Sequence, residues 1–122
     1  MNFTTPLTRN HEFKRLYSKG KSSASQCAVV YCRRNGRLGN RLGITVSTKL
    51  GCAVRRNRIR RRLKEVYRLN EKNLFTGYDI VIIARMRSLT IRFSELESSV
   101  LSLFRKLRIM GDGDERAGGN VK

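Results

Sequence analysis

The chain of 122 residues has no tryptophan, one proline, one histidine and only three cysteines. No apolar run approaches the roughly 20 residues of a membrane-spanning helix, and the first 18 residues lack the apolar core of a signal peptide. The cysteines, Cys27, Cys32 and Cys52, include no CxxC pair, which argues against a disulfide framework and against a zinc site. We therefore expect a cytoplasmic protein with no membrane partner.

Acidic residues are scarce as well, with 9 Asp and Glu against 27 Lys and Arg. The formal net charge is +18, which opposes self-association and attracts polyanions. Nucleic acid is therefore the first partner to consider. The length suits one domain with a single modest core and is too short for two domains.

Hydrophobic periodicity predicts three helices and three strands. The six predicted elements are a helix over 10–18, strands over 27–32 and 41–48, a helix over about 53–69, a strand over 79–84 and a helix that ends near residue 108. Candidate helix ends are Thr8 or Asn10 as the first N-cap, Gly20 as the first stop, and a capping box from Ser94 to Glu97 for the last helix.

The order helix, strand, strand, helix, strand, helix describes one α+β sandwich. All apparent core residues fit a single mixed sheet that is backed by helices. We predict one domain over residues 1–110. Residues 111–122 are rich in Gly, Asp and Glu and have few apolar residues, so we predict a disordered tail there.

The second helix is unusually rich in arginine. Six of the eight residues from Arg55 to Arg62 are arginine, and the segment 49–64 contains no carboxylate. Like charges three or four positions apart on a helix repel each other, so an anionic partner is expected to compensate them. Five cations are predicted to lie opposite the apolar face of Ile59, Leu63 and Val66, and these are Arg58, Arg61, Arg62, Lys64 and Arg68.

Alternatives to RNA binding are a solvated surface and DNA binding. A solvated face normally mixes charges of both signs, which this helix does not. Helices that read DNA usually carry Asn, Gln or Ser among their basic residues, and only Asn57 could serve here. Folded RNA is recognised largely by its shape and its phosphates, which an arginine helix backed by strands suits better.

A distinctive run of residues surrounds the start of this helix. It reads Val46-Ser47-Thr48-Lys49-Leu50-Gly51-Cys52-Ala53-Val54-Arg55-Arg56-Asn57-Arg58-Ile59-Arg60-Arg61, with Arg56-Asn57-Arg58 at its core. The run closely resembles the signature of the bacterial ribonuclease P protein family, and the match extends over about residues 7–108. Thr48 and Cys52 stand where that family often has lysine and asparagine.

The resemblance implies the protein subunit of a ribonucleoprotein endonuclease that removes the 5′ leader from precursor tRNA. It also implies an α/β sandwich with a left-handed βαβ crossover through the arginine helix. The RNA subunit would be the catalyst, bound one to one with the protein and holding most of the required Mg²⁺. The sequence agrees, because His11 has no acid or base partner implied by its spacing and the carboxylates do not cluster as metal ligands.

The same resemblance assigns candidate binding residues. Those expected against the catalytic RNA are Arg56, Asn57, Arg58, Arg60, Arg61 and Lys64, and the charge pattern adds Lys49, Arg55, Arg62 and Arg68. Arg56 and Asn57 are also expected to help order nearby RNA-bound Mg²⁺. No catalytic side chain is expected in the protein.

Three aromatic residues match the family's cleft for the single-stranded leader, namely Phe13, Tyr17 and Tyr31. Aromatic rings that stack on bases tolerate any sequence, which a processing enzyme with many substrates requires. The alternative is that Phe13 and Tyr17 only pack the first helix onto the sheet, and that Tyr31 belongs to the core.

Two other functions remain open for a chain of this charge and size. A ribosomal protein would need basic faces but no exposed aromatic groove. A basic DNA-binding regulator would need dimer symmetry and base-reading side chains, neither of which is visible in the sequence.

Overall fold

A computed structural model describes residues 4–111, which contain four α-helices and five strands. In chain order they are β1 Thr4–Pro6, α1 Asn10–Lys19, β2 Lys21–Ala24, β3 Ala28–Arg34, β4 Asn40–Thr45, α2 Ala53–Asn70, β5 Tyr78–Ala84, α3 Arg87–Thr90 and α4 Phe93–Lys106. Two 3₁₀ turns, Thr48–Leu50 and Glu71–Asn73, flank α2. Apart from Gly111, the predicted disordered tail lies outside the described residues.

The five strands form one mixed sheet in the order β1-β4-β5-β3-β2. β5 lies in the centre, parallel to β4 and antiparallel to β3. The chain passes from β4 to β5 through α2, so the arginine helix is the crossover of a parallel βαβ unit. The predicted single sheet with helices is confirmed, and α2 follows the prediction to within one residue.

The sheet is covered by helices on both faces. The main core includes Ile80 and Ile82 of β5 together with buried residues of α2 and α4. The alternate residue Val81 belongs to a smaller cluster on the other face, where Leu16 of α1 packs against it. The run of apolar residues in β5 therefore reflects burial on both faces, as the sequence predicted.

Three short elements escaped prediction. β1 pairs with β4 through only three residues, β2 is a polar edge strand, and α3 is a single turn. β4 also ends at Thr45 rather than at residue 48, because the hydroxyl of Ser47 accepts a hydrogen bond from the Lys49 N–H and starts a 3₁₀ turn.

The predicted N-caps are wrong, whereas the predicted stop of α1 is confirmed. α1 starts after Arg9 and α4 after Arg92, and neither helix has a side-chain cap. Ser94 lies inside α4, so it cannot form the capping box. Gly20 ends α1 by donating its N–H to the Leu16 carbonyl at 2.8 Å.

Candidate nucleic-acid interface

The fold fixes the orientation of α2. Its apolar stripe, Ile59, Leu63, Val66 and Tyr67, is fully buried against the sheet and α4. Gly51, just before the helix, has φ 128°, a conformation that side-chain-bearing residues rarely adopt. The chain therefore turns sharply into the helix. Because the apolar stripe faces the sheet, the charged residues lie on the other sides of α2.

Most of the predicted RNA-binding cations are exposed. These are Lys49, Arg55, Arg58, Arg61, Lys64 and Arg68, and the predicted Asn57 is exposed with them. Within residues 4–111, Arg68 is the one member of this set with an ion pair, to Glu65 at 2.6 Å. Such an exposed pair contributes little to stability. The helix thus presents positive charge that its own protein leaves largely uncompensated.

Two further arginines are half-buried and held by local contacts. The Nε of Arg56 donates to the Gly51 carbonyl at 3.2 Å, which ties the side chain back over the start of α2. The Nη1 of Arg60 donates to Oδ1 of Asn57 at 3.1 Å. Each guanidinium keeps other N–H groups for an external acceptor, and both are oriented in advance.

Arg62 does not point freely into solvent as predicted. Its guanidinium donates to the carbonyls of Ser88 at 2.9 Å and Leu89 at 2.7 Å, and also to that of Ile91. Burial lowers its pKa, and the neighbouring charge of Arg58 lowers it further. The prediction that Arg62 is a solvent-facing cation is therefore wrong. The last carbonyls of α3 have no N–H partner within the helix, and Arg62 supplies their hydrogen bonds.

Cys52, one of the two departures from the family pattern, is exposed at the N-cap of α2. The backbone N–H groups of Arg55 and Val54, at the start of α2, lower the pKa of its thiol. Thr48, the other departure, is exposed and begins the preceding 3₁₀ turn. Both positions lie beside the arginine helix.

The three predicted aromatics lie together between α1 and the sheet. The ring centroids of Tyr17 and Tyr31 are 5.0 Å apart in an edge-on arrangement, and those of Phe13 and Tyr17 are 6.5 Å apart. Tyr17 is 40% exposed, whereas Phe13 and Tyr31 are half-buried against the smaller cluster. Phe13 and Tyr31 therefore pack partly into the core, as the alternative predicted, whereas Tyr17 does not.

A groove of about 380 Å³ lies between α1 and α2 at the edge of the sheet, where residues of β1 and β4 line it. Phe13 and Leu7 form one side, and Arg60 and Lys64 of α2 form the other. Gly43 lies at its floor, where an added Cβ would come within 2.8 Å of the Phe13 ring. The groove sets the Phe13 ring opposite two cations, the combination that single-stranded nucleic acid requires, whereas Tyr17 and Tyr31 lie outside its lining.

α1 is anchored by an ion-pair network that the sequence did not reveal. Arg41 of β4 donates to Glu12 of α1 at 2.5 Å and, through two nitrogens, to both carboxylate oxygens of Asp79 on β5. The Asp79 hydrogen bonds raise the pKa of Arg41 despite its partial burial. Partial burial raises the pKa of Glu12, but Arg41 lowers it more, so it lies below its ordinary value. The strand register pairs Arg41 with Asp79, and the packing of α1 on the sheet brings Glu12 to them.

Within residues 4–111, no three His, Cys, Asp or Glu side chains come together as ligands for a metal ion. None of the helices in that part of the chain is long and apolar enough to cross a membrane.

Residues 1–108 match the family model described as Ribonuclease P. The chain belongs to this family. It is 40% identical over 110 residues to the "Ribonuclease P protein component" of Alkaliphilus metalliredigens, an alignment that covers 90% of this chain and 99% of that protein.

Solved ribonuclease P proteins share the fold. The Staphylococcus aureus RNase P protein superposes with a TM-score of 0.78 at 32% identity, covering 87% of this chain and 97% of that one. The Thermotoga maritima protein superposes with a TM-score of 0.75 at 33% identity, covering 82% and 96%. The predicted ribonuclease P family and α+β fold are confirmed, and the ribosomal alternative is disfavoured.

Proposed function

We propose that this chain binds the catalytic RNA of ribonuclease P through α2 and the 5′ leader of precursor tRNA through its aromatic groove. The observation that carries the proposal is the pairing of two surfaces on one rigid scaffold. One is a helix of cations with almost no internal counter-ions, and the other is a groove lined by Phe13, with Tyr17 and Tyr31 beside it.

The contact with the catalytic RNA rests on the uncompensated charge of α2. Its residues are Lys49, Arg55, Arg56, Asn57, Arg58, Arg60, Arg61, Lys64 and Arg68, with Arg62 serving mainly to hold α3. Because α2 is fixed by its buried stripe, the guanidiniums meet phosphates without the helix first having to fold. Such preorganisation reduces the entropic cost of binding.

The contact with the leader rests on Phe13, Tyr17 and Tyr31. A base stacked on Phe13 would leave its phosphate near Arg60 and Lys64 across the groove. Tyr17 contacts Phe13 and Tyr31, so the aromatic surface continues beyond the groove. Stacking on aromatics contributes about 1 to 3 kcal/mol per base and is insensitive to sequence. Leaders of different tRNAs would therefore bind alike.

Cleavage of the leader is proposed to belong to the RNA. We assign the required Mg²⁺ to the RNA subunit, as the family resemblance implies. The RNA and the protein are proposed to form a one-to-one complex in the cytoplasm. Asn57 and Arg56 would influence that metal only through the RNA they contact. The protein would supply affinity and orientation.

Reconstitution tests this division of roles. The purified chain alone should not cleave precursor tRNA, and its addition to the catalytic RNA at low Mg²⁺ should restore cleavage. Cleavage by the chain without RNA would contradict the proposal. Sequencing of the RNA that co-purifies with the chain identifies the partner, and a predominance of ribosomal RNA would overturn it.

Phe13→Leu with Tyr17→Leu tests the leader contact, since leucine fills space but cannot stack as a ring does. Affinity for precursor tRNA should fall by about 10-fold or more, from about 1 to 3 kcal/mol per stacked base. Affinity for mature tRNA should not change. Leu38→Ala, in an exposed loop away from the groove, is the control. Equal weakening for both tRNAs would show that the rings only pack the helix.

Arg61→Ala tests the contact of α2 with the catalytic RNA. Loss of one phosphate contact should make the log–log salt dependence shallower by about 0.7 to 0.9. Arg105→Ala removes an exposed arginine from α4 and should leave the slope unchanged. Identical slopes for both variants would remove Arg61 from the interface.

A further inference from the structure

A second groove runs along α2, between that helix and the segment 85–92 that connects β5 to α4. Its volume is about 730 Å³. Three arginines of α2 line it, Arg55, Arg58 and Arg62, and Arg92 lines it from the opposite wall. No lining residue carries a negative charge, so the groove concentrates positive charge.

The groove lies on the flank of α2 that faces away from α1. At 100° per residue, Arg55, Arg58 and Arg62 fall within about 60° of one another, and Arg60 and Lys64 fall on nearly the opposite side. The buried stripe separates these two flanks. A single helix therefore contributes cations to two different grooves.

Exposed apolar groups accompany the arginines. Val54 is 75% exposed and Met86 is 47% exposed, and both line the groove. Phosphate binding alone would need only the cations. A nucleotide, in contrast, presents an anionic phosphate beside the apolar face of its base, and this groove offers both kinds of contact.

The wall opposite α2 is held in place. The three hydrogen bonds from Arg62 fix the carbonyls of Ser88, Leu89 and Ile91, and the Ser88 hydroxyl donates to the Arg85 carbonyl at 2.7 Å. Arg62 is thus a positioning residue that sets the spacing between the walls. The remaining arginines, Arg55, Arg58 and Arg92, have no ion pair among the described residues.

We propose that this groove binds one unpaired nucleotide of the catalytic RNA. Arg55, Arg58 and Arg92 contact its phosphates, and Val54 and Met86 lie against its base. The inference rests on the proposed function of α2. The groove lined by Phe13, which is proposed to bind the leader, lies on the opposite flank of the helix. The catalytic RNA is therefore the proposed occupant of this second groove.

Two substitutions test the two halves of the groove in the full-length chain bound to the catalytic RNA. Arg92→Ala should make the log–log salt dependence shallower by about 0.7, the value for a single-strand phosphate. Val54→Ser should weaken binding about fourfold, the effect of one buried methylene, without changing the slope. Both side chains are exposed, and Val and Ser have similar helix propensities, so both variants should fold.

Matched controls remove the same chemistry elsewhere. Arg105→Ala deletes an exposed arginine of α4, and Leu38→Ser makes a 95% exposed apolar residue polar. Neither should change affinity or slope. If Arg92→Ala has an effect and Val54→Ser has none, the groove contacts a phosphate but no base, and the proposal of a bound nucleotide is wrong. If neither variant has an effect, the groove does not bind RNA.

Cross-linking identifies the occupant. A photo-reactive group is attached through Val54→Cys in a Cys52→Ser background, where the other cysteines are buried. A cross-link to one unpaired position of the catalytic RNA supports the proposal, and one to precursor tRNA alone overturns it. If Arg61→Ala changes the slope of the salt dependence while the groove variants do not, the groove proposal is wrong but the proposed function of α2 stands. If Arg61→Ala also has no effect, the proposed function fails.

Discussion

Arg62 provides the sharpest test of how the arginine helix is built. The sequence predicts that Arg62 binds RNA as its neighbours do. Its three hydrogen bonds to carbonyls around α3 instead give it a structural role. Arg62→Met keeps the aliphatic stem and a good helix former but removes all three donors. We expect this variant to be less stable than the parent protein.

The magnitude follows from what the carbonyls lose. A hydrogen bond from a charged donor contributes about 1.5 to 3 kcal/mol, but water in the adjacent groove can replace part of each bond. Removal of the half-buried guanidinium also relieves its own desolvation. We therefore expect a net loss of about 2 to 4 kcal/mol, which for a chain of this size corresponds to a fall in Tm of roughly 10 °C.

Urea unfolding of the free protein measures this difference directly. Arg61→Met is the matched control, because Arg61 is exposed and its replacement should change stability by no more than about 0.5 kcal/mol. The slope of free energy against urea should be the same for both. Equal midpoints for the two variants would refute the structural role of Arg62.

Two other contacts yield predictions about stability. Gly20→Ala should destabilise the protein by about 1 to 3 kcal/mol in urea unfolding, because its Cβ would come within 2.7 Å of the Leu16 carbonyl oxygen and 2.8 Å of the Cys32 carbonyl oxygen. Glu12→Gln should destabilise it at neutral pH but progressively less in acid. The pKa of Glu12 lies below its ordinary 4.5, so its ion pair with Arg41 stabilises the fold above that pH and is lost as the pH falls through the folded-state value.

Each of these predictions has a control substitution. Lys19→Ala, at an exposed position next to Gly20, should leave the urea midpoint nearly unchanged, and an equal effect of both substitutions would contradict the crowding argument. Glu95→Gln removes an exposed carboxylate on α4 that has no ion pair within the described residues. A pH-independent difference between Glu12→Gln and the parent protein would show that the ion pair does not hold α1.

The long elements could be predicted because each buries a repeating set of residues. α2 and β5 carry their patterns over 18 and 7 residues. β1, β2 and α3 could not, since each has four residues or fewer. β1 and α3 also depend on partners distant in the chain, whereas β2 is a polar strand that pairs with the next strand, β3. β1 exists because Thr4–Pro6 pairs with β4, and no local pattern predicts that pairing.

The candidate site divides in the same way. The density of arginine between residues 55 and 62 identified the helix, and the resemblance selected Phe13, Tyr17 and Tyr31. Neither signal could assign Arg62 to α3 or link Arg41 to Glu12. Those contacts depend on how the elements pack, which periodicity within a single element does not contain.

The arginine helix remains folded because its stability comes from packing rather than from its own sequence. Its first turn has no acidic residue, and its like charges repel, so an isolated peptide of this sequence would be a poor helix. The buried Ile59, Leu63, Val66 and Tyr67 compensate for that repulsion. The helix is therefore already formed before RNA binds. We expect RNA binding to depend strongly on salt concentration and to cause little change in the helical content of the protein. A large gain in helicity on binding would mean that the core does not overcome the repulsion.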